Sequence, residues 1–271
     1  MARGLGLRQL GTVAIDATRI KASASPDKVA KIERGERART RLKVRRWQQA
    51  CDADDPNENA GSGVGAAIEA LEQVDLSRDL APLPRPRKGV LRQSATDPDA
   101  RFLRARGGRF VLGYTGEIAV SEDHLIVAQE ATDNASLVPM AELVKTTCGS
   151  PPQRVVADSG YYSNHNLEQI EILGIEAYVP DSNLARELNL GHPADDLRCR
   201  DPHQRRMRRK MRAETGRHLY RKRKAMVEPV FGVLKQQRNL REFRLRSLDK
   251  VAIEFALAAT AYNLTRIHRM R

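Results

Sequence analysis

Two apolar, β-branched runs that each stop at an acid give the first framework for this chain. Leu10 to Ile15 reads as a strand that ends by delivering Asp16 at its tip, and Val155-Val156-Ala157 does the same for Asp158. After Asp16 a polar–apolar alternation continues through Thr18-Arg19-Ile20-Lys21. Phe110 to Val120 alternates as a strand and Leu125 to Gln129 as a second one, with Asp123-His124 at the turn between them. Apolar residues then recur at helical spacing over Leu137 to Thr147, where Asn134 and Ser136 are candidate caps. A helix over Asn164 to Leu173, stopped by Gly174, precedes a strand from Glu176 to Val179 closed by Pro180. A last helix is expected over Lys250 to Ile267, carrying Val251, Phe255 and Tyr262 toward the core.

Strand, hairpin strands, helix, strand, helix, strand is the order of a mixed α/β sheet with helices packed on it. Two stretches break that order. From Lys28 to about Ala53 charged residues dominate, which predicts a basic helix. A Gly/Asn/Ser linker follows at Pro56 to Gly65, then a short helix at Ala66 to Val74 and a polyproline-like connector at Pro82 to Arg87. We therefore expect core strand 1–26, an insertion over 27–100 that is partly helical and partly disordered, and the remaining core over 101–271. Residues 181–215 are polar and irregular in pattern, and read as a second insertion.

Charge narrows the function. The chain has 271 residues with a formal net charge of +13, from 47 Lys and Arg against 34 Asp and Glu. Such a balance favours a polyanionic partner, because Lys and Arg gain affinity by displacing counterions from phosphates. Cys51, Cys148 and Cys199 include no CxxC pair, which argues against a zinc site or a disulfide framework and fits a reducing cytosol. No signal peptide is evident, and the longest apolar stretch, Val251 to Leu264, is too short to span a bilayer. The expectation is a soluble, cytoplasmic, nucleoid-associated protein with no membrane partner.

Each acid alone has an ordinary explanation. Asp158 before Ser159-Gly160 suits a turn, and Glu228 suits one anion inside a basic segment. Together, two strand-borne aspartates and a helix-borne glutamate suit a pair of divalent cations, which cut and join phosphodiesters by in-line displacement. The run Arg205, Arg206, Arg208, Arg209, Lys210 and Arg212, continued by Arg217 and Arg221 to Lys224, is the expected phosphate-contacting face, without base specificity. His124, His165 and His218 have no ligand-like pairing. Asp97 and Asp99 read as loop residues that fix a turn through Pro98.

In order along the chain stand Ile15-Asp16-Ala17-Thr18-Arg19-Ile20-Lys21-Ala22, Thr96-Asp97-Pro98-Asp99-Ala100-Arg101, Gly113-Tyr114, Ala157-Asp158-Ser159-Gly160-Tyr161-Tyr162-Ser163 and Val227-Glu228-Pro229-Val230-Phe231-Gly232. This ordered set resembles the catalytic domain of DDE transposases of bacterial insertion sequences, in the insertion-sequence-four-like superfamily with a Tyr-Arg-Glu-Lys signature. The resemblance implies an RNase H-like fold and metal-dependent DNA cleavage and strand transfer. It also implies two Mg²⁺ or Mn²⁺ ions on Asp16, Asp158 and Glu228, double-stranded DNA as substrate, and a homodimer in the active complex. Tyr220 and Lys235 would flank the final signature. Family spacing puts its arginine at Lys224, with Arg223 one position away. A lysine there would bind phosphate as a point charge, without the arginine fork.

Pro229 is expected to kink its helix or to begin a new segment. Departures from the family pattern are specific. Tyr114-Thr115-Gly116-Glu117 stands where the family has Tyr-Asn-x-Gln, and Ser121 stands where it often has Asp. Fifteen residues precede Asp16, too few for a helix-turn-helix unit, so an N-terminally truncated chain is expected. The alternative function is an inactive remnant that only binds DNA or regulates. A metal-dependent nuclease without strand transfer is a third reading.

Overall fold

The centre of the fold is β1 (Thr12–Lys21), flanked on one side by an antiparallel strand and on the other by a parallel one. The computed structural model describes residues 10–25, 29–33, 90–94, 96–104, 110–132, 136–193, 199 and 201–270. The antiparallel neighbour is β5 (Phe110–Ser121), in register from Val13↔Ser121 to Lys21↔Gly113. The parallel neighbour is β7 (Arg154–Val156), which pairs in parallel with β8 (Glu176–Tyr178). On the far edge of β5 lie β6 (Ile126–Thr132), closing the hairpin, and the short β4 (Arg101–Arg104). A separate two-stranded ribbon joins β2 (Val29–Glu33) to β3 (Val90–Ser94).

Strand alternation sends side chains to two apolar layers. On one face Val13, Ile15, Ala119 and Val127 pack under α1 (Leu137–Cys148) and α2 (Asn164–Ile172). On the other, Ala14, Ile20, Ile118 and Val120 pack under α5 (Glu214–Gly232) and α6 (Leu248–Met270). A smaller cluster of Val156, Tyr178, Leu184, Met211 and Leu219 seats α3 (Ser182–Leu190) and α4 (Pro202–Arg212) beside the parallel edge. The whole is a mixed α/β sheet flanked by helices, in agreement with the expected RNase H-like class.

Local chemistry explains several boundaries. Gly174, at φ 72°, ends the turn after α2, a left-handed conformation that costs glycine little. Gly113 has no room for a side chain, since a Cβ there would lie 2.1 Å from the Ile20 carbonyl oxygen. Ser136 stands at the N-cap of α1 without a side-chain hydrogen bond, whereas Ser163 caps α2 through Asn166 N–H at 3.0 Å. Asp97 and Asp99 hold the start of α6: Asp99 accepts from Leu248 N–H at 3.1 Å, and Asp97 from Ser247 N–H at 3.4 Å as well as from the Tyr114 hydroxyl at 2.7 Å.

Four expectations change. The first strand does not end at Asp16 but runs five residues on to Lys21, because β5 pairs along all of it. Val29–Glu33 is a strand paired with Val90–Ser94, not the beginning of a basic helix; the helices, linker and connector expected within 34–89 lie outside the described residues. Within 181–215 the described residues include two helices rather than irregular chain, α3 and α4, each opened by an aspartate cap, Asp181 and Asp201. Pro229 lies inside α5, and the irregularity falls just after it, where Val233–Gln237 forms a π-helix closed by Arg238 N–H to Val233 O at 3.0 Å.

Candidate active site

Asp16 projects from the middle of β1 toward α5, where Arg223 donates from Nη1 to its Oδ2 at 2.7 Å. Its other oxygen accepts the Ala17 N–H at 2.8 Å. Burial pushes the Asp16 pKa up; Arg223 and the Ala17 N–H pull it back, and the charge of Asp158 raises it again. The two aspartates come from neighbouring parts of the sheet. The topology dictates it, since β1 and β7 are parallel neighbours and Asp158 lies two residues past the end of β7.

Asp158 is half-buried and caps the 3₁₀ turn Ser159–Tyr161, accepting Gly160 N–H at 2.8 Å. Both aspartates offer hard carboxylate oxygens, the donor class that Mg²⁺ and Mn²⁺ take. Glu228 lies on α5, exposed, five residues beyond Arg223. At 100° per residue those two side chains leave the helix about 140° apart. Among the described residues no three His, Cys, Asp or Glu side chains stand close enough to hold one ion. Asp16 and Asp158 thus offer the donor chemistry a divalent ion takes, and among the described residues no third His, Cys, Asp or Glu joins them.

The flanking signature residues resolve sharply. Arg223, not Lys224, meets the aspartate; Lys224 turns away to Asn189 on α3, with Nζ to Oδ1 at 3.0 Å. Tyr220 is buried beneath Arg223, its ring centroid 5.6 Å from the guanidinium carbon. Lys235 crosses back to β1, donating to the Thr18 hydroxyl and to the Arg19 carbonyl at 3.4 Å. Burial lowers the Lys235 pKa, helped by Arg241 and Arg19.

The basic run divides in two. Arg208 is 3% exposed and forms a two-pronged pair with Asp181, at 2.7 and 3.0 Å, so it ties α4 to the cap of α3. Arg212 grips Glu187 at 2.8 Å, Arg205 donates to Cys199 O at 2.8 Å, and Arg206 pairs with Glu171 at 2.9 Å. Lys210 bonds Ala177 O at 3.0 Å and lies 4.1 Å over the Tyr178 ring. Arg209, Arg217 and Arg221 are exposed.

Sequence reasoning gave Glu117 no role beyond a departure from a motif. It is 1% exposed in the middle of β5, paired across the sheet with Ala17 and Glu130. Burial pushes its pKa up to about 7, with the Tyr161 hydroxyl and Ser136 N–H lowering it and the charges of Glu130 and Asp16 raising it. Locally the sequence marks it only as an acid inside an apolar strand, which does not say that it is buried.

The profile of the transposase DDE domain matches residues 84–264, more than half of the chain. The matched span contains Asp158 and Glu228 and leaves out Asp16. No curated protein matches the chain significantly. Among the described residues no helix is long and apolar enough to cross a membrane. With the mixed sheet, the flanking helices and the aspartates of β1 and the β7 turn already in place, the chain belongs to the transposase DDE domain family.

Proposed function

We propose that this chain is a DNA transposase of the insertion-sequence-four-like kind, performing metal-dependent cleavage and strand transfer at the ends of an insertion sequence. The observation that carries the reading is the placement of Asp16 on β1 and of Asp158 just past the end of β7, its parallel neighbour, in a chain of the transposase DDE domain family. Two Mg²⁺ or Mn²⁺ ions, when bound, would activate a water or the DNA's own 3′-hydroxyl and stabilise the leaving oxygen. Asp16 and Asp158 would hold them, with Glu228 as third ligand once α5 presents it. Arg223 neutralises Asp16 from α5, and its fork would take a phosphate oxygen once metal ions hold that aspartate. Lys235 and the exposed Arg209, Arg217 and Arg221 supply charge for double-stranded DNA.

Plasmid nicking tests this. Wild-type chain should nick with Mg²⁺ and bind without nicking in Ca²⁺, whose looser coordination does not support the reaction. Asp16→Asn, Asp158→Asn and Glu228→Gln should each abolish nicking with the fold intact. Wild-type nicking by any one of them removes that residue from the site. Pre-cut transposon ends with a target plasmid then separate strand transfer from simple nuclease action.

One arrangement favours a second reading, an inactive DNA-binding or regulatory protein. Glu228 stands apart from the aspartates, and Asp16 is already neutralised by Arg223. Tight DNA binding with no Mg²⁺- or Mn²⁺-dependent nicking would establish it. For assembly we infer a homodimer, supported by Ile253, Leu257 and Leu264 recurring at helical spacing on the exposed side of α6. A monomer at all concentrations by light scattering would remove that inference.

A further inference from the structure

The segment from Arg238 to Ser247 joins the π-helix to α6 and carries Arg238, Arg241, Arg244 and Arg246. Its frame is built rather than loose. Leu240 and Phe243 are buried, and the Phe243 ring meets Tyr114 and Phe255 edge-on, with centroids 5.9 and 6.3 Å away. Lys21 N–H donates to Arg241 O at 3.1 Å and Phe243 N–H to Lys21 O at 2.8 Å, so the segment pairs with the last residue of β1. From α6, the Glu254 carboxylate accepts Arg244 N–H at 3.0 Å and Leu245 N–H at 2.9 Å. Between these anchors Arg241, Arg244 and Arg246 are exposed.

Exposed cations are stable in water, so charge alone assigns nothing to them. Two features do. Arg241 Nε donates to Lys235 O at 3.3 Å and Arg246 Nε to Ser23 O at 2.7 Å, so these guanidinium groups are already ordered and lose less freedom on meeting an anion. Among the described residues Arg241, Arg244 and Arg246 form no ion pair, whereas on α4 Arg206, Arg208 and Arg212 are paired with Glu171, Asp181 and Glu187. Position then ties the loop to the aspartates. Thr18 stands two residues beyond Asp16 on the same face of β1, and Lys235 donates to its hydroxyl while Arg241 holds the Lys235 carbonyl. Arg19 and Lys21 are exposed along the same stretch. Lys21 lies 3.9 Å from Glu242 with both side chains more than half exposed, a weak pair that a phosphate can displace. From Asp16 to Lys21 the strand runs about 17 Å, the length of about five base pairs of duplex. We propose that Arg241, Arg244 and Arg246 form a phosphate-contacting rail for duplex DNA that leaves the aspartates along β1. This rests on the reading of the chain as a protein that acts on DNA. The contacts are to the backbone and read no bases.

The test uses the full chain and a duplex of about 30 base pairs of arbitrary sequence, in Ca²⁺, with affinity read by fluorescence anisotropy over a range of salt concentrations. Arg241, Arg244 and Arg246 replaced together by Ala should flatten the log–log salt slope by about two to three units and weaken binding about 100-fold near 0.1 M salt. The same three replaced by Lys keep the charge and should leave the slope within about one unit of wild type. Arg244→Ala serves if the triple Ala variant does not fold, with an expected loss of about 0.9 unit. A slope unchanged by the Ala variants, in a chain that binds duplex, overturns the rail and leaves the transposase reading standing. A Lys variant that loses as much slope as the Ala variant also overturns it, because a loosened loop and not charge would then explain the loss. Wild-type chain that binds duplex but does not nick it in Mg²⁺ removes the cleavage reading, and the slopes still decide the rail. Wild-type chain that binds no duplex overturns both.

Discussion

Arg223 and Asp16 are 207 positions apart in the chain and meet at 2.7 Å, joining α5 to the central strand. Only 8% of the arginine side chain and 20% of the aspartate side chain are exposed. The pair therefore does two jobs, holding α5 on the sheet and keeping a buried aspartate charged.

Removing the cation should expose that dependence. Arg223→Met leaves Asp16 buried without its partner, a change that costs about 3–5 kcal/mol in sites of this kind. Urea denaturation at pH 7 should show the loss. At acid pH the penalty should shrink, because Asp16 protonates and no longer needs a cation. Equal loss at both pH values would mean the arginine contributes packing alone.

Glu117 predicts a pH dependence of stability. Its pKa rises from 4.5 unfolded to about 7 folded, so the folded state holds a proton that the unfolded state gives up earlier. Below the unfolded value stability is full. It falls as pH rises from about 4.5 through about 7 and then levels, by on the order of 3 kcal/mol. Glu130 and Asp16 face this group and add to the rise in its pKa. Glu117→Gln should remove this fall, as read by thermal melts across that range; an unchanged profile would assign it to other groups.

Within the basic run, neighbours should behave differently. Arg208→Ala strands Asp181 in the interior and should cost about 3–5 kcal/mol. Arg209→Ala, one residue on and exposed, should change stability by less than about 0.5 kcal/mol. For DNA, Arg209, Arg217 and Arg221 replaced together by Ala should flatten the log–log salt slope by roughly two to three units, without altering sequence preference. A slope that does not move would put the binding face elsewhere.

Asp99→Ala should loosen the start of α6. Its carboxylate accepts Leu248 N–H at 3.1 Å, and loss of such a cap costs about 1 kcal/mol. Exchange should accelerate first at the amides of residues 247–251. Uniform acceleration through the core would show instead that the loop is needed for the whole fold.

The sequence by itself determined the elements whose signals are local. The apolar run before Asp16, the hairpin around Asp123-His124, the helix stopped by Gly174 and the periodic last helix all stand where alternation and turn chemistry put them, because backbone preference and side-chain period act over a few residues. The order of those elements also carried the mixed α/β sheet class. Tertiary structure decided the rest. Asp16 lies mid-strand because a distant strand, β5, pairs along the whole of β1. Arg208 is interior because Asp181, 27 positions earlier, waits for it at a helix cap. Arg223 rather than Lys224 meets Asp16 because the apolar face of α5, Met226, Val227 and Val230, fixes which side of the helix turns to the sheet. The π-helix after Pro229 changes the helical phase that leads to Lys235, so regular helix geometry does not give its direction. Glu117 became visible only through its burial, which no local pattern encodes, because burial is set by the elements that close over a residue and not by the residues beside it.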